Sequence, residues 1–93
     1  MTDAKIGEIL QYLKDNNLDK NTMIVFTSDN GCSPTANFKE LREKGHDPSA
    51  GFRGTKADIY EGGHRIPFIV KWPGVVKTNS INSATICLTD FMA

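Results

Sequence analysis

The chain has no excess of either charge. Its 93 residues carry 11 Lys and Arg against 11 Asp and Glu, a formal net charge of zero, with no basic stripe and no run of like charges. That balance argues against nucleic acid as a partner, because phosphate recognition calls for a clustered cationic face. Long apolar runs are missing as well; none approaches the roughly 20 residues that a bilayer crossing requires, so no membrane span is expected. The opening Met1-Thr2-Asp3-Ala4-Lys5 has no signal-peptide pattern. Cysteine is scarce: Cys32 and Cys87 have neither metal-ligand spacing nor a neighbouring partner, and both read as ordinary residues. Repeats and low-complexity tracts are absent. A chain this short holds at most one domain, which buries only about 60–65% of its unfolded surface. A catalytic sheet enzyme normally needs more chain.

What is there begins with a period of 3.6. Ile6, Ile9, Leu10 and Leu13 recur at i, i+3, i+4 and i+7 among Lys5, Glu8, Gln11, Lys14 and Asp15, which predicts one amphipathic helix with Thr2 or Asp3 as its cap. Asn16-Asn17 and Asp19-Lys20-Asn21 supply turn chemistry, and Thr22 to Thr27 reads as a strand. The near-continuous apolar run from Met23 to Phe26 predicts a strand covered on both faces, as in a parallel sheet. A short helical stretch is expected over Asn37 to Lys44, followed by a loop at Gly45-His46-Asp47-Pro48. Ile66 to Trp72 reads as a second buried strand, with Pro67 at its start and Pro73-Gly74 ending it. Ala84 to Leu88 is expected as a last short strand, and Thr89 or Asp90 as the start of a helix.

Two blocks carry chemistry. In open α/β sheets ligands gather at the carboxyl ends of strands, and Ser28-Asp29-Asn30-Gly31 sits at such an end. An adjacent carboxylate and amide oxygen suit a hard divalent cation such as Ca²⁺, with Gly31 letting the chain turn away; an Asx turn ending a strand explains the same residues. The second block is Gly51-Phe52-Arg53-Gly54-Thr55-Lys56 with Tyr60-Glu61-Gly62-Gly63-His64-Arg65. Its glycines space a long turn around Arg53 and Lys56 that offers backbone donors and cations to an oxyanion such as a sulfate or phosphate ester; a flexible Gly-rich hairpin with surface cations is the alternative. His46 reads as a solvated loop histidine.

In this order, the strand with S-D-N-G, the lysine in its Gly-rich turn, E-G-G-x-R-x-P and W-P-G resemble the formylglycine-dependent sulfatases of the alkaline phosphatase superfamily, over about Asp3 to Asp90. The resemblance implies an α/β fold, a fragment of an alkaline phosphatase-like sandwich with a mostly parallel sheet flanked by helices. It divides the chain, residues 1–93, into a helix at 3–16, a strand at 22–28, metal and sulfate loops at 29–65, a strand at 66–72 and a C-terminal strand or helix start at 84–93. It implies that Asp29 and Asn30 are Ca²⁺ ligands and that Lys56 is the catalytic and substrate-binding residue that contacts the sulfate. Glu61 and Arg65 look architectural, and His64 occupies the variable position of its motif.

Family members also carry a C-x-P-S-R signature whose Cys becomes the formylglycine nucleophile. Cys32-Ser33-Pro34-Thr35 mimics it, but Ala36 stands where the Arg belongs and the segment directly follows the Asp-Asn pair, so it reads as a decoy. The nucleophile, further metal carboxylates and a catalytic His then belong to segments absent from this chain. The expectation is a fragment of a sulfate-ester hydrolase, inactive alone, whose partners are a sulfate-ester substrate and the rest of the parent domain. A phospho- or phosphonoester hydrolase of the same superfamily, or a non-catalytic assembly module, are the alternatives. Uncovered strand edges predict self-association of the fragment. The resemblance implies a periplasmic, secreted or lysosomal parent rather than a cytoplasmic one; in an internal piece of a longer chain, the missing signal carries no information on compartment.

Overall fold

A computed structural model describes residues 1–92. Its contacts cluster into two compact units, one of residues 1–22 with the segment from Lys71 onward, the other Met23–Val70. Among the described residues no helix is long and apolar enough to cross a membrane.

In the first unit the predicted period becomes helix α1, Thr2–Asp15. Because the helix reaches back to Thr2, neither Thr2 nor Asp3 caps it; Met1 is in the N-cap position without a side-chain bond, and Asp3 sits in the first turn, where a negative charge favours the helix dipole. The other end is closed by two nested backbone bonds. Asn17, at φ 56°, donates to the Lys14 carbonyl at 3.0 Å, and Leu18 donates to that of Leu13 at 2.9 Å. This is the left-handed Schellman ending, with Asn in place of the usual Gly. The expected strand at Ala84 to Leu88 is not present; residues 81–87 carry no regular structure, and a short 3₁₀ turn spans Leu88–Met92. Ala93, the last residue of the expected C-terminal segment, lies outside the described residues.

The second unit carries the S-D-N-G, lysine-turn and E-G-G-x-R-x-P motifs. Strands β1, Ile24–Thr27, and β2, Phe68–Lys71, form a two-stranded sheet. The pair is antiparallel, which corrects the expected parallel arrangement for these strands. The physical reason lies in the connection: parallel neighbours need a crossover that returns the chain to the opposite end of the sheet. Here the Gly-rich block stays at one end, where Gly31, just past β1, donates to the carbonyl of Gly63, shortly before β2, at 2.8 Å. The strands are not enclosed either. Ile24 and Val25 are half-buried, while Phe26 and Ile69 remain 40% and 60% exposed, because two strands with short helices cannot cover both faces of a sheet.

Helix α2, Phe38–Glu43, is capped by Asn37, whose side-chain oxygen accepts from the Glu40 N–H at 3.3 Å. Helix α3, Glu61–His64, was not expected, since two consecutive glycines oppose helix formation. Both glycines are buried.

Candidate functional site

The loop after β1 is locked to the Gly-rich block by backbone alone. Beyond the Gly31–Gly63 bond, Lys56 donates its backbone N–H to the Cys32 carbonyl at 2.8 Å, and Gly62 donates to that of Arg53 at 2.8 Å. The approach is closer than any side chain allows. A Cβ at Gly31 would lie 1.9 Å from the Gly62 carbonyl oxygen, one at Gly62 would lie 2.2 Å from that of Gly54, and one at Gly63 would lie 2.2 Å from that of Asp58. Gly31 is therefore required for close approach rather than for the turn freedom that its position after Asn30 suggests. The lock brings Lys56, in backbone terms, against the segment that begins at Asp29-Asn30.

Local bonds orient the strand-end pair. Ser28 Oγ donates to the Asn30 carbonyl at 2.9 Å, and Asn30 Nδ2 donates to that of Gly31 at 2.9 Å. With its amide nitrogen committed, Asn30 keeps Oδ1 as a free acceptor. Asn30 also lines an open cleft of about 310 Å³, together with Ser28, Cys32, Pro48 and Arg65. Asp29 is exposed, and its carboxylate has no hydrogen-bond or ion-pair partner among the described residues. The Lys56 side chain is exposed and equally uncommitted. Neither Asp29 nor Lys56 lines the cleft.

The other candidates are engaged. Arg53 stacks over the Tyr60 ring at 3.7 Å, and Arg65 pairs with Glu61 at 2.9 Å while lying over the Phe52 ring at 4.6 Å. The N–H groups of Gly62 and Gly63 are spent on Arg53 and Tyr60 carbonyls and that of Gly51 on the Asp47 carboxylate, so these three glycines offer no free donor to an oxyanion. His64 Nε2 is 2.7 Å from the Ile59 carbonyl oxygen, so it donates there and ties the short helix down. Asp47 accepts the N–H groups of Ser49 and Gly51, each at 3.1 Å. The Ser49 bond, with lesser help from Arg42, holds its carboxyl below the ordinary 3.8. Cys32 is a half-buried free thiol on the cleft wall.

Two residues were not singled out by their spacing. Arg65 reaches the same cleft as Asn30, although its motif reads as architectural. Asp58 braces the turn that carries Lys56, accepting the Thr55 N–H at 2.8 Å; the signal available was the Thr-Lys-Ala-Asp turn itself. Among the described residues, no three His, Cys, Asp or Glu side chains form a group able to hold a metal. The candidates are thus two oxygen donors at the end of β1 and one exposed cation, with no closed cage among the described residues.

The Sulfatase family profile matches residues 1–93. The chain belongs to the sulfatase family. The sulfatase chain is 45% identical over 80 residues to an N-acetylgalactosamine-6-O-sulfatase of Bacteroides thetaiotaomicron, covering 83% of this chain and 16% of that protein. It is 44% identical over 82 residues to an arylsulfatase of Hemicentrotus pulcherrimus, covering 88% and 14%. With the steryl-sulfatase of Homo sapiens it shares 41% over 78 residues, covering 81% and 13%. The sulfatase chain therefore spans about a sixth or less of the length of these relatives. No solved structure matches it significantly.

Proposed function

We propose that these residues form part of the catalytic domain of a sulfuric ester hydrolase, with Asp29 and Asn30 as oxygen ligands of Ca²⁺ and Lys56 as the sulfate-contacting residue. The observation that carries this is the backbone lock, Lys56 N–H to the Cys32 carbonyl and Gly31 N–H to that of Gly63, which ties the lysine turn to the Asp-Asn loop. The donor chemistry fits the cation in kind: a free carboxylate and an amide oxygen whose nitrogen is turned away. It does not fit in number, since Ca²⁺ takes about 6–8 oxygens, and the remainder belong to the rest of the parent. When bound, the cation supplies a fixed positive charge against which an anionic ester and its attacking group are held.

Lys56 adds a cation for the sulfuryl oxygens and the departing oxygen. Such groups contribute most when they are aimed before the reaction begins. Cys32 lacks the Arg of the C-x-P-S-R signature and is not the nucleophile; a formylglycine would come from outside this chain, which leaves the 93 residues inactive alone. The relatives named as sulfatases favour sulfate over the phosphate or phosphonate ester that the same residues would serve. The parent's fold is an alkaline phosphatase-like sandwich with a mostly parallel sheet flanked by helices, to which β1 and β2 contribute an antiparallel pair; mixed sheets of that kind are common.

The test is Lys56→Ala in the complete sulfatase that contains this segment, assayed with an aryl sulfate and an aryl phosphate. A loss of about 10²–10³ in kcat/KM on the sulfate is expected, the usual effect of removing one charge-stabilising donor. Unchanged turnover, or hydrolysis by the isolated 93-residue chain, would sink the proposal.

A further inference from the structure

Lys56 sits at the first corner of a tight four-residue turn, Thr55 to Asp58, closed by the Asp58 N–H to the Thr55 carbonyl at 2.9 Å. The second corner is Ala57 at φ 76°. Positive φ at that corner is the geometry of a type II turn, which prefers Gly, and an L-residue with a Cβ adopts it only when its surroundings impose it. Something therefore holds this turn in place.

The holding group is Asp58. Its Oδ2 accepts the Thr55 N–H at 2.8 Å and faces the Thr55 hydroxyl at 3.4 Å, a second bridge across the turn beside its backbone bond. Its carbonyl packs on the Cα of Gly63, where a Cβ would come within 2.2 Å, and its Cβ lies 3.1 Å from where a Gly54 side chain would begin. Asp58 thus touches both arms of the block, the Gly-rich turn before Lys56 and the Gly-Gly helix after it. It forms no ion pair with the Lys56 ammonium among the described residues. Its carboxylate fixes the lysine's backbone and leaves the lysine's charge uncommitted.

We infer that Asp58 is a positioning residue for Lys56: its carboxylate pins the Thr55–Asp58 turn so that the Lys56 ammonium is aimed at the anionic ester. The inference rests on the reading of Lys56 given above. The Lys56 N–H bond to the Cys32 carbonyl fixes the other side of the turn, so the lysine is held from two directions before substrate arrives. A carboxylate suits the task better than a neutral acceptor, because its hydrogen bonds to N–H are shorter and roughly twice as strong.

The experiment is a double-mutant cycle on kcat/KM for an aryl sulfate in the complete sulfatase that contains this segment. Asp58→Ala is expected to lose about 10–100-fold, the scale set by misplacing a catalytic group by an ångström. Asp58→Asn, which keeps the volume and one acceptor oxygen, is expected to lose several-fold. In a Lys56→Ala background both further losses should vanish, since a turn with no ammonium to aim has nothing to misplace. A residue that merely supports the fold would instead lower the rate by the same factor in either background. Full additivity overturns the inference, as does wild-type kcat/KM in both Asp58 variants beside an impaired Lys56→Ala. If Asp58→Ala does not fold, Asp58→Asn decides by the same criteria. Wild-type turnover in Lys56→Ala overturns the functional reading and this inference with it, whereas additivity beside an impaired Lys56→Ala overturns the inference alone.

Discussion

Gly31 shows how one missing side chain joins two loops. From sequence it is the residue after an Asp-Asn pair, where a glycine frees a turn. In the structure its N–H reaches the Gly63 carbonyl at 2.8 Å and its Cα faces the Gly62 carbonyl. Both obstacles to a Cβ there are backbone, which cannot swing aside as a flexible side-chain end does. Gly31→Ala is expected to destabilise the chain by about 3 kcal/mol, the upper end of overpacking costs, and to separate the two loops. Denaturant unfolding of Gly31→Ala beside Gly7→Ala makes the comparison. Gly7 lies mid-helix with open space where its Cβ would be, so that alanine should stabilise by up to about 1 kcal/mol. Asp29, Asn30 and Lys56 could be proposed from sequence because each stands in a short local pattern. The bond from the Thr55 N–H to Asp58 could not, because it depends on a turn conformation that four residues alone do not dictate.

At the scale of elements, periodicity and local chemistry went far. The helix over Thr2–Asp15 follows from apolar spacing, and the helix over Phe38–Glu43 falls within the helical stretch expected from Asn37 to Lys44. Asn37 accepts the Glu40 N–H at 3.3 Å, while its Nδ2 donates to Glu40 Oε2 at 3.0 Å, so cap and third residue hold one another. Asn37→Ala should cost about 1 kcal/mol, with Asn37→Asp close to neutral. Thermal unfolding followed by far-UV circular dichroism checks both, and equal loss in the two variants would remove the cap from the account. Helix α3 escaped the sequence reading for the opposite reason. Glycine costs about 1 kcal/mol in a helix interior, so Glu61-Gly62-Gly63-His64 argues locally for a loop. Tertiary approach to the Gly54 and Asp58 carbonyls decides otherwise, and only glycines permit it.

At the scale of the whole molecule, the described residues contain no fully enclosed apolar side chain, and Ser49 is the one buried polar side chain among them. Ile59 at 84%, Ile69 at 60% and Ile81 at 98% exposure show how much apolar surface is left to water. A two-stranded sheet with open edges and such faces is marginal by itself. The isolated chain is therefore expected to self-associate, with a broad thermal transition and a scattering mass above its 10.3 kDa. A monodisperse monomer that melts sharply would contradict this. The same exposure accords with a chain that spans 13–16% of its curated relatives, most of whose surface-covering residues lie elsewhere.

The sequence by itself determined the family and the helices with strong local signals, because motifs and 3.6-residue periods are written in neighbouring residues. Tertiary structure decided the antiparallel pairing of β1 with β2, the helix at Glu61–His64, and the contact between loops 31 residues apart at Gly31 and Gly62. Those depend on how closely two backbones approach, and a glycine's missing side chain records only that something comes near, not what.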